Sequence, residues 1–246
     1  MLWWLRSKFY KLILHLFSGH LGKVIVALDP PEGVNPLDWV KQRYTSLKDL
    51  AEGFKVGLPL TLRVGLGKLN EVFRDYDGLL IADLKLADIG DIMVNVLEGL
   101  SKTKVNGVIA HAFVGYEDGV GKLALKSKEL GIKLITVVSM SHKGSLEFMD
   151  KHLNELVELS IKAGVWGVVA PATRPDVVKR VRALAGDKLK ILTPGVGFQG
   201  APPGVGICAG ADYEIVGRAI TSAADPIKAF HDIVLKQEEA IKECVS

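Results

Sequence analysis

The chain has 246 residues, 48% of them hydrophobic and 24% charged, which is enough apolar material for one sizeable core. That length suits a single α/β barrel and does not require two domains. The net charge is only +3, no Lys/Arg block occurs, and aromatics do not interleave with basic residues, so a nucleic-acid-binding surface is not indicated.

The first segment, residues 1–22, reads MLWWLRSKFYKLILHLFSGHLG and is both apolar and basic. Arg6, Lys8, Lys11 and His15 interrupt it, so it is too short and too charged to span a bilayer. No clean apolar stretch leads to a small-residue cleavage site, which speaks against a signal peptide. The expectation is an amphipathic N-terminal helix packed on the domain, with membrane-surface association as the alternative. No membrane partner is expected.

From residue 23 to 246 short runs of Val, Ile and Leu alternate with longer amphipathic stretches. The predicted strands are Val24–Asp29, Gly53–Gly57, Gly78–Leu84, Gly107–Ala110, Lys133–Ser139, Trp166–Ala170, Lys190–Thr193 and Tyr213–Val216. Asn35-Pro36 and Asp225-Pro226 each put a capping side chain before a proline, a helix-start signal. Strands apolar on both faces and alternating with helices imply a parallel sheet covered by helices. Eight such units predict a single-domain (β/α)8 barrel with an extra N-terminal helix. An open doubly wound sheet is the alternative, but no GxGxxG follows the first strand. Cys208 and Cys244 are far apart in sequence and form no metal-type pair. They suggest a reducing cytoplasm and no disulfide framework.

Function in such a barrel sits at the C-terminal strand ends. Those ends carry Asp29, Lys55, Asp83 with Lys85, His111, Ser139 to His142, Pro171, Pro194 onward, and Gly217-Arg218. In LLIADLKLADIGD, residues 79–91, strand alternation sends Asp83 and Lys85 to one side, into the barrel mouth. Asp88 falls in the following loop, aimed back at the site or at a neighbouring subunit. Flanking carboxylates would keep Lys85 charged, as suits a general acid that protonates a carbanion. A purely structural ion-pair network is the plain alternative. The ring of charge at other strand ends favours the functional reading. The stretch TPGVGFQGAPPGVG, residues 193–206, is packed with glycine and proline. Together with Arg218 after the last strand it occupies the usual phosphate site of a barrel. His111 is read as mostly structural, orienting a carboxylate. His142 and His152 match no metal pattern.

At these residues the chain resembles the orotidine 5′-phosphate decarboxylase family. The D-x-K-x-x-D signature is Asp83, Lys85 and Asp88. The strand-one aspartate is Asp29 in VALD and the strand-two lysine is Lys55 in FKVG. MSH is Met140-Ser141-His142, PGVGxQG is Pro194 to Gly200, and VGR is Val216 to Arg218. The resemblance spans about residues 22–235. It implies decarboxylation of orotidine 5′-monophosphate to UMP in pyrimidine biosynthesis, with Lys85 protonating the C6 carbanion and no metal or cofactor. It further implies that Asp83 faces the departing carboxylate, and that Lys55 and Asp29 bind ribose hydroxyls. Ser141 would meet the pyrimidine edge, with Ile89 and Pro194 as apolar walls. Gly195, Gly197, Gln199, Gly200, Gly217 and Arg218 would surround the phosphate. Asp88 would reach a partner's site across a homodimer. Ile92 stands where members of the family carry a ribose-binding threonine, and Asp91 beside it is a candidate substitute. Related Mg2+-dependent sugar-phosphate lyases carry a glutamate where this chain has Lys55, and a cation there removes a ligand for a hard metal ion. That lyase activity, or a non-catalytic phosphate sensor, is the alternative.

Overall fold

The computed structural model describes residues 23–245. The predicted helix at residues 1–22 lies outside the described residues.

Eight parallel strands close into a barrel in sequence order. They are β1 (Val24–Leu28), β2 (Gly53–Gly57), β3 (Leu79–Leu86), β4 (Gly107–His111), β5 (Lys133–Val137), β6 (Gly167–Val169), β7 (Lys190–Pro194) and β8 (Tyr213–Val216). β8 pairs with β1 through Val24↔Glu214, Ile25↔Ile215 and Val26↔Val216, which closes the ring. The predicted strands match these within a few residues, because each is short, almost wholly buried and therefore a continuous apolar run.

Alternation along each strand builds two apolar layers. Ile25, Ile81, Ile109, Ile135, Leu192 and Ile215 point inward and fill the barrel. Val24, Val26, Phe54, Leu80, Val108, Leu134 and Val168 point outward and pack beneath the helices. Each fully buried Val, Leu or Ile contributes roughly 1.5–3 kcal/mol relative to exposure. The helices are α1 (Pro36–Leu47), α2 (Leu58–Val64), α3 (Leu66–Val72), α4 (Gly90–Leu100), α5 (Gly121–Glu129), α6 (Leu153–Ala163), α7 (Pro175–Ala185), α8 (Val205–Cys208), α9 (Arg218–Thr221) and α10 (Pro226–Val245). Asn35 Oδ1 accepts from the N–H groups of Leu37 and Asp38, as its position before Pro36 predicts. Asp225 Oδ1 does the same for Ile227 and Lys228 at the start of α10.

The expectation about the cysteines is corrected. Cys208 at the end of α8 and Cys244 near the end of α10 form a disulfide, with Cα atoms 5.9 Å apart. Their separation of 36 residues hid this, because α8 and α10 become neighbours only when the last βα unit packs on the barrel.

Candidate active site

β3 is where the regular sheet breaks. Ala82 pairs with Val108, but Leu86 pairs with Ala110, so four steps on β3 match two on β4. The surplus residues bulge, and Lys85 takes a positive φ of 46°. A lysine in the left-handed region is strained, and such strain concentrates at functional positions. Asp83 and Lys85 do share the barrel mouth, as alternation predicts, but the bulge sets their geometry.

Asp83 is 8% exposed and held by two ammonium groups. Lys85 Nζ lies 2.8 Å from Oδ1 and 2.9 Å from Oδ2, while Lys55 Nζ lies 3.0 Å from Oδ2. Burial pushes the Asp83 carboxyl up, but Lys55 and Lys85 outweigh it and hold the group below its usual range. Burial likewise works against the Lys55 ammonium, and Asp83 and then Asp29 reverse that and raise its pKa. The sequence placed Lys85 between two carboxylates. In the structure the arrangement is a carboxylate between two lysines, because Asp88 points away. Asp88 is exposed, and its Oδ1 accepts from the N–H of Ile89 at 2.7 Å.

These groups line a cavity of about 310 Å³ at the C-terminal strand ends. Its walls bring together Asp29, Lys55, Asp83, Lys85, Ser141, Pro194, Gly195, Gln199, Gly217 and Arg218, all expected from the sequence. A side groove along Gly57, Leu58 and Pro59 shares Asp29, Lys55, Asp83 and Lys85 with it. Gly57 leaves room for Asp29, since a Cβ there would stand 3.0 Å from Asp29 Oδ1. Ile109, Val137, Val169 and Ile215 form the apolar floor. Sequence reading passed over them because a cavity floor and a barrel core have the same apolar pattern.

Across the mouth runs the loop after β7. Gly195, Gly197 and Gly200 have φ values of 114°, 78° and 97°. A Cβ on Gly197 would meet the Ala219 Cβ at 2.6 Å, so glycine lets the loop lie against α9. Phe198, which the sequence did not single out, stacks on Arg218, with the guanidinium carbon 3.2 Å from the ring centre. Gly197 and Gly200 shape this loop without lining the cavity.

Ile89 and Ile92 are 64% and 47% exposed and do not line the cavity. Asp91 is no ready substitute for the missing threonine, since its carboxylate pairs with Lys122. His111 does not orient a carboxylate. Its Nδ1 is buried without a hydrogen-bond partner, its ring packs on Phe113 with centres 4.5 Å apart, and burial followed by the Lys85 charge lowers its pKa.

One network was missed altogether. Arg174, after β6, donates to Ser139 Oγ at 2.8 Å and also binds Asp150 and the Met140 carbonyl. Asp150 Oδ1 accepts from Ser139 and Ser145 at 2.9 and 2.7 Å, and Ser145 Oγ accepts from the Met140 N–H. This ties down the chain on either side of Ser141. The signal was the charged residue just past a strand end in PATRP. Among the described residues, no group of three or more His, Cys, Asp and Glu could hold a metal ion, and no helix is long and apolar enough to cross a membrane.

A closed eight-stranded barrel with a lysine–carboxylate network facing a glycine-rich loop and an arginine defines a (β/α)8-barrel enzyme. The model of the orotidine 5′-phosphate decarboxylase / HUMPS family matches residues 22–233, and the chain belongs to that family. Orotidine 5′-phosphate decarboxylase of Aeropyrum pernix is 46% identical over 214 residues, 86% of this chain and 86% of that protein. The crystal structure of orotidine 5′-monophosphate decarboxylase from Methanocaldococcus jannaschii, complexed with inhibitor BMP, has a TM-score of 0.80 at 32% identity. That of Metallosphaera sedula has a TM-score of 0.76 at 39% identity. Each covers 89% of this chain and 99% of the other.

Proposed function

We propose that this chain decarboxylates orotidine 5′-monophosphate to UMP and CO2, using its own side chains and no metal or cofactor. The observation that carries the reading is the Lys55–Asp83–Lys85 network at the mouth of the barrel. Loss of CO2 leaves an electron pair at C6 of the pyrimidine. Lys85 carries an ammonium into the cavity and gives C6 its proton. Asp83 stands beside the departing carboxylate, and its negative charge disfavours the charged ground state. Lys55 and Asp29 border the side groove and take the ribose hydroxyls. Ser141 meets the pyrimidine edge and Pro194 an apolar face. Gln199, the loop glycines and Arg218 hold the phosphate, and a forked guanidinium suits that dianion.

The active unit is a homodimer in this reading. Asp88, Ile89 and Ile92 are exposed beside the mouth, where a second copy would be completed by them. Asp88 of one subunit then supplies the second carboxylate for the other subunit's Lys85. The enzyme works in the cytoplasm, within pyrimidine biosynthesis.

A Mg2+-dependent sugar-phosphate lyase is the second reading. It is disfavoured because the buried Lys55 ammonium occupies the strand-two position 3.0 Å from Asp83, where a hard cation would be repelled. The test is the ultraviolet absorbance change of orotidine 5′-monophosphate with and without a chelator. Turnover unaffected by chelator is expected. Turnover lost in EDTA and restored by Mg2+ would favour the lyase, and ligand binding without turnover would favour a sensor.

A further inference from the structure

The loop across the cavity mouth has little to hold its tip. Gly197, Phe198, Gln199 and Gly200 are all exposed. Its base is closed by backbone bonds, with Gly197 N–H donating to the Ala201 carbonyl at 2.8 Å and Ala201 N–H to the Gly195 carbonyl at 3.2 Å. From Ala201 the chain runs through Pro202 and Pro203, whose rings fix φ, directly into Gly204. Whatever fixes Gly204 therefore fixes one end of the loop through a stiff two-residue link.

What fixes Gly204 is a buried carboxylate outside the catalytic network. Glu214 lies on β8, is 0% exposed, and points away from the barrel interior, since its neighbour Ile215 points inward. Its oxygens accept from Gly204 N–H at 2.9 and 3.0 Å, from Gly206 N–H at 3.0 Å and from Gln237 Nε2 at 3.0 Å. Gln237, on α10, uses its Oε1 to accept from the N–H of Lys23 at 2.8 Å, which orients its amide with Nε2 toward Glu214. Burial pushes the Glu214 carboxyl up, but every partner of Glu214 is a donor, so the cage favours an ionised carboxylate and leaves no acceptor for a neutral acid or an amide NH2. The fit is close. Gly204 has φ +89°, and a Cβ there would stand 2.5 Å from the Ala240 Cβ. The Cys208–Cys244 disulfide joins α8 to α10 just beyond the same point.

We infer that Glu214 is a positioning residue for the phosphate loop: it anchors the C-terminal root of that loop to β8 and α10. The inference rests on the decarboxylase reading for its catalytic consequence. Burying a carboxylate on the outer face of a barrel strand is costly unless it is well hydrogen-bonded, and the donors that offset the cost here are the Gly204 and Gly206 N–H groups and Gln237. Glu214 touches no part of the cavity. Its effect on turnover therefore passes through the loop, and is felt only when the substrate has a phosphate for the loop to grip.

The experiment compares wild type, Glu214→Gln and, from the helix side, Gln237→Met. Values of kcat and KM are measured for orotidine 5′-monophosphate and for orotidine, which lacks the phosphate, alongside thermal melts. Hydrogen exchange of residues 195–201 is followed in the ligand-free proteins. Glu214→Gln is expected to lower kcat/KM for the nucleotide by about tenfold or more while orotidine changes by less than about twofold. Exchange in the loop should speed up, and Gln237→Met should give the same pattern more weakly. Equal losses on both substrates, no loss on the nucleotide, or global unfolding of both variants would overturn the assignment. Absence of wild-type turnover would instead defeat the decarboxylase reading. Unchanged loop exchange in Glu214→Gln would then overturn the anchor on its own.

Discussion

Lys85 reaches Asp83 from a strained backbone: its φ is 46°, and Nζ lies 2.8 Å from Asp83 Oδ1. A left-handed conformation costs a non-glycine residue roughly 1–2 kcal/mol. Fold stability is therefore given up to aim one ammonium group. Replacing Lys85 by Ala should cut turnover by at least about 100-fold, the low end for removing a general acid. Lys85→Gly should be equally inactive but more stable than Lys85→Ala by about 1 kcal/mol, because glycine relieves the strain. Assays and denaturant melts of both variants check this. Turnover in Lys85→Ala within tenfold of wild type would place the acid elsewhere.

Asp83 pairs with two lysines, one of them buried. Asp83→Asn should destabilise the fold at neutral pH by about 3 kcal/mol, as breaking a buried pair does. The pH dependence has a definite sign. The folded-state pKa of Asp83 lies below the ordinary 3.8, so its stabilising contribution is present above that value and is lost as pH falls through the folded pKa. The gap between wild type and Asp83→Asn should therefore narrow below about pH 4. Melts between pH 2 and 7, a range chosen to bracket the ordinary carboxylate pKa, measure it. A gap that stays constant to acid would show that Asp83 is not the group responsible.

Asp88 faces away from the cavity of its own subunit. If it serves the partner, Asp88→Ala and Lys85→Ala homodimers should each be inactive, and mixing them should restore activity through hybrid dimers with one intact site. Subunit exchange is followed by mass, and activity by substrate absorbance. Exchange without recovery would place Asp88 outside the reaction.

Arg218, stacked on Phe198, stands across the mouth from Lys85. Its contact with a phosphate should be worth roughly 2–5 kcal/mol once desolvated, or about 30- to several-thousand-fold in kcat/KM. Arg218→Ala should show that loss with orotidine 5′-monophosphate and little loss with orotidine. Equal losses would mean that Arg218 supports the chemistry or the fold directly.

The Cys208–Cys244 link closes a loop of 36 residues that includes β8 and most of α10. Reduction, or Cys244→Ser, should lower stability by about 4 kcal/mol on the chain-entropy account. Thermal melts with and without reductant test it. Two titratable thiols in the native, unreduced protein would show that the bond does not form.

The sequence by itself determined the barrel and the identity of its polar ring. Strand runs, proline-headed helices and D-x-K spacing are local patterns, set by side-chain period and backbone chemistry within a few residues. That is why Asp29, Lys55, Asp83, Lys85, Ser141, Gln199 and Arg218 could be named before any distance was known, and why the structure places them around one cavity. The tertiary structure decided what local pattern cannot encode. The bulge at Lys85 depends on how β3 registers against β4. The Arg174–Asp150 network joins residues 24 apart in sequence, and the Glu214–Gln237 pair joins residues 23 apart. The disulfide formed against expectation because barrel closure brings α10 back over α8. Asp91 was paired away by Lys122. The common physical reason is that periodicity fixes which side of an element a residue faces, whereas its partner there is chosen only when the last strand pairs with the first.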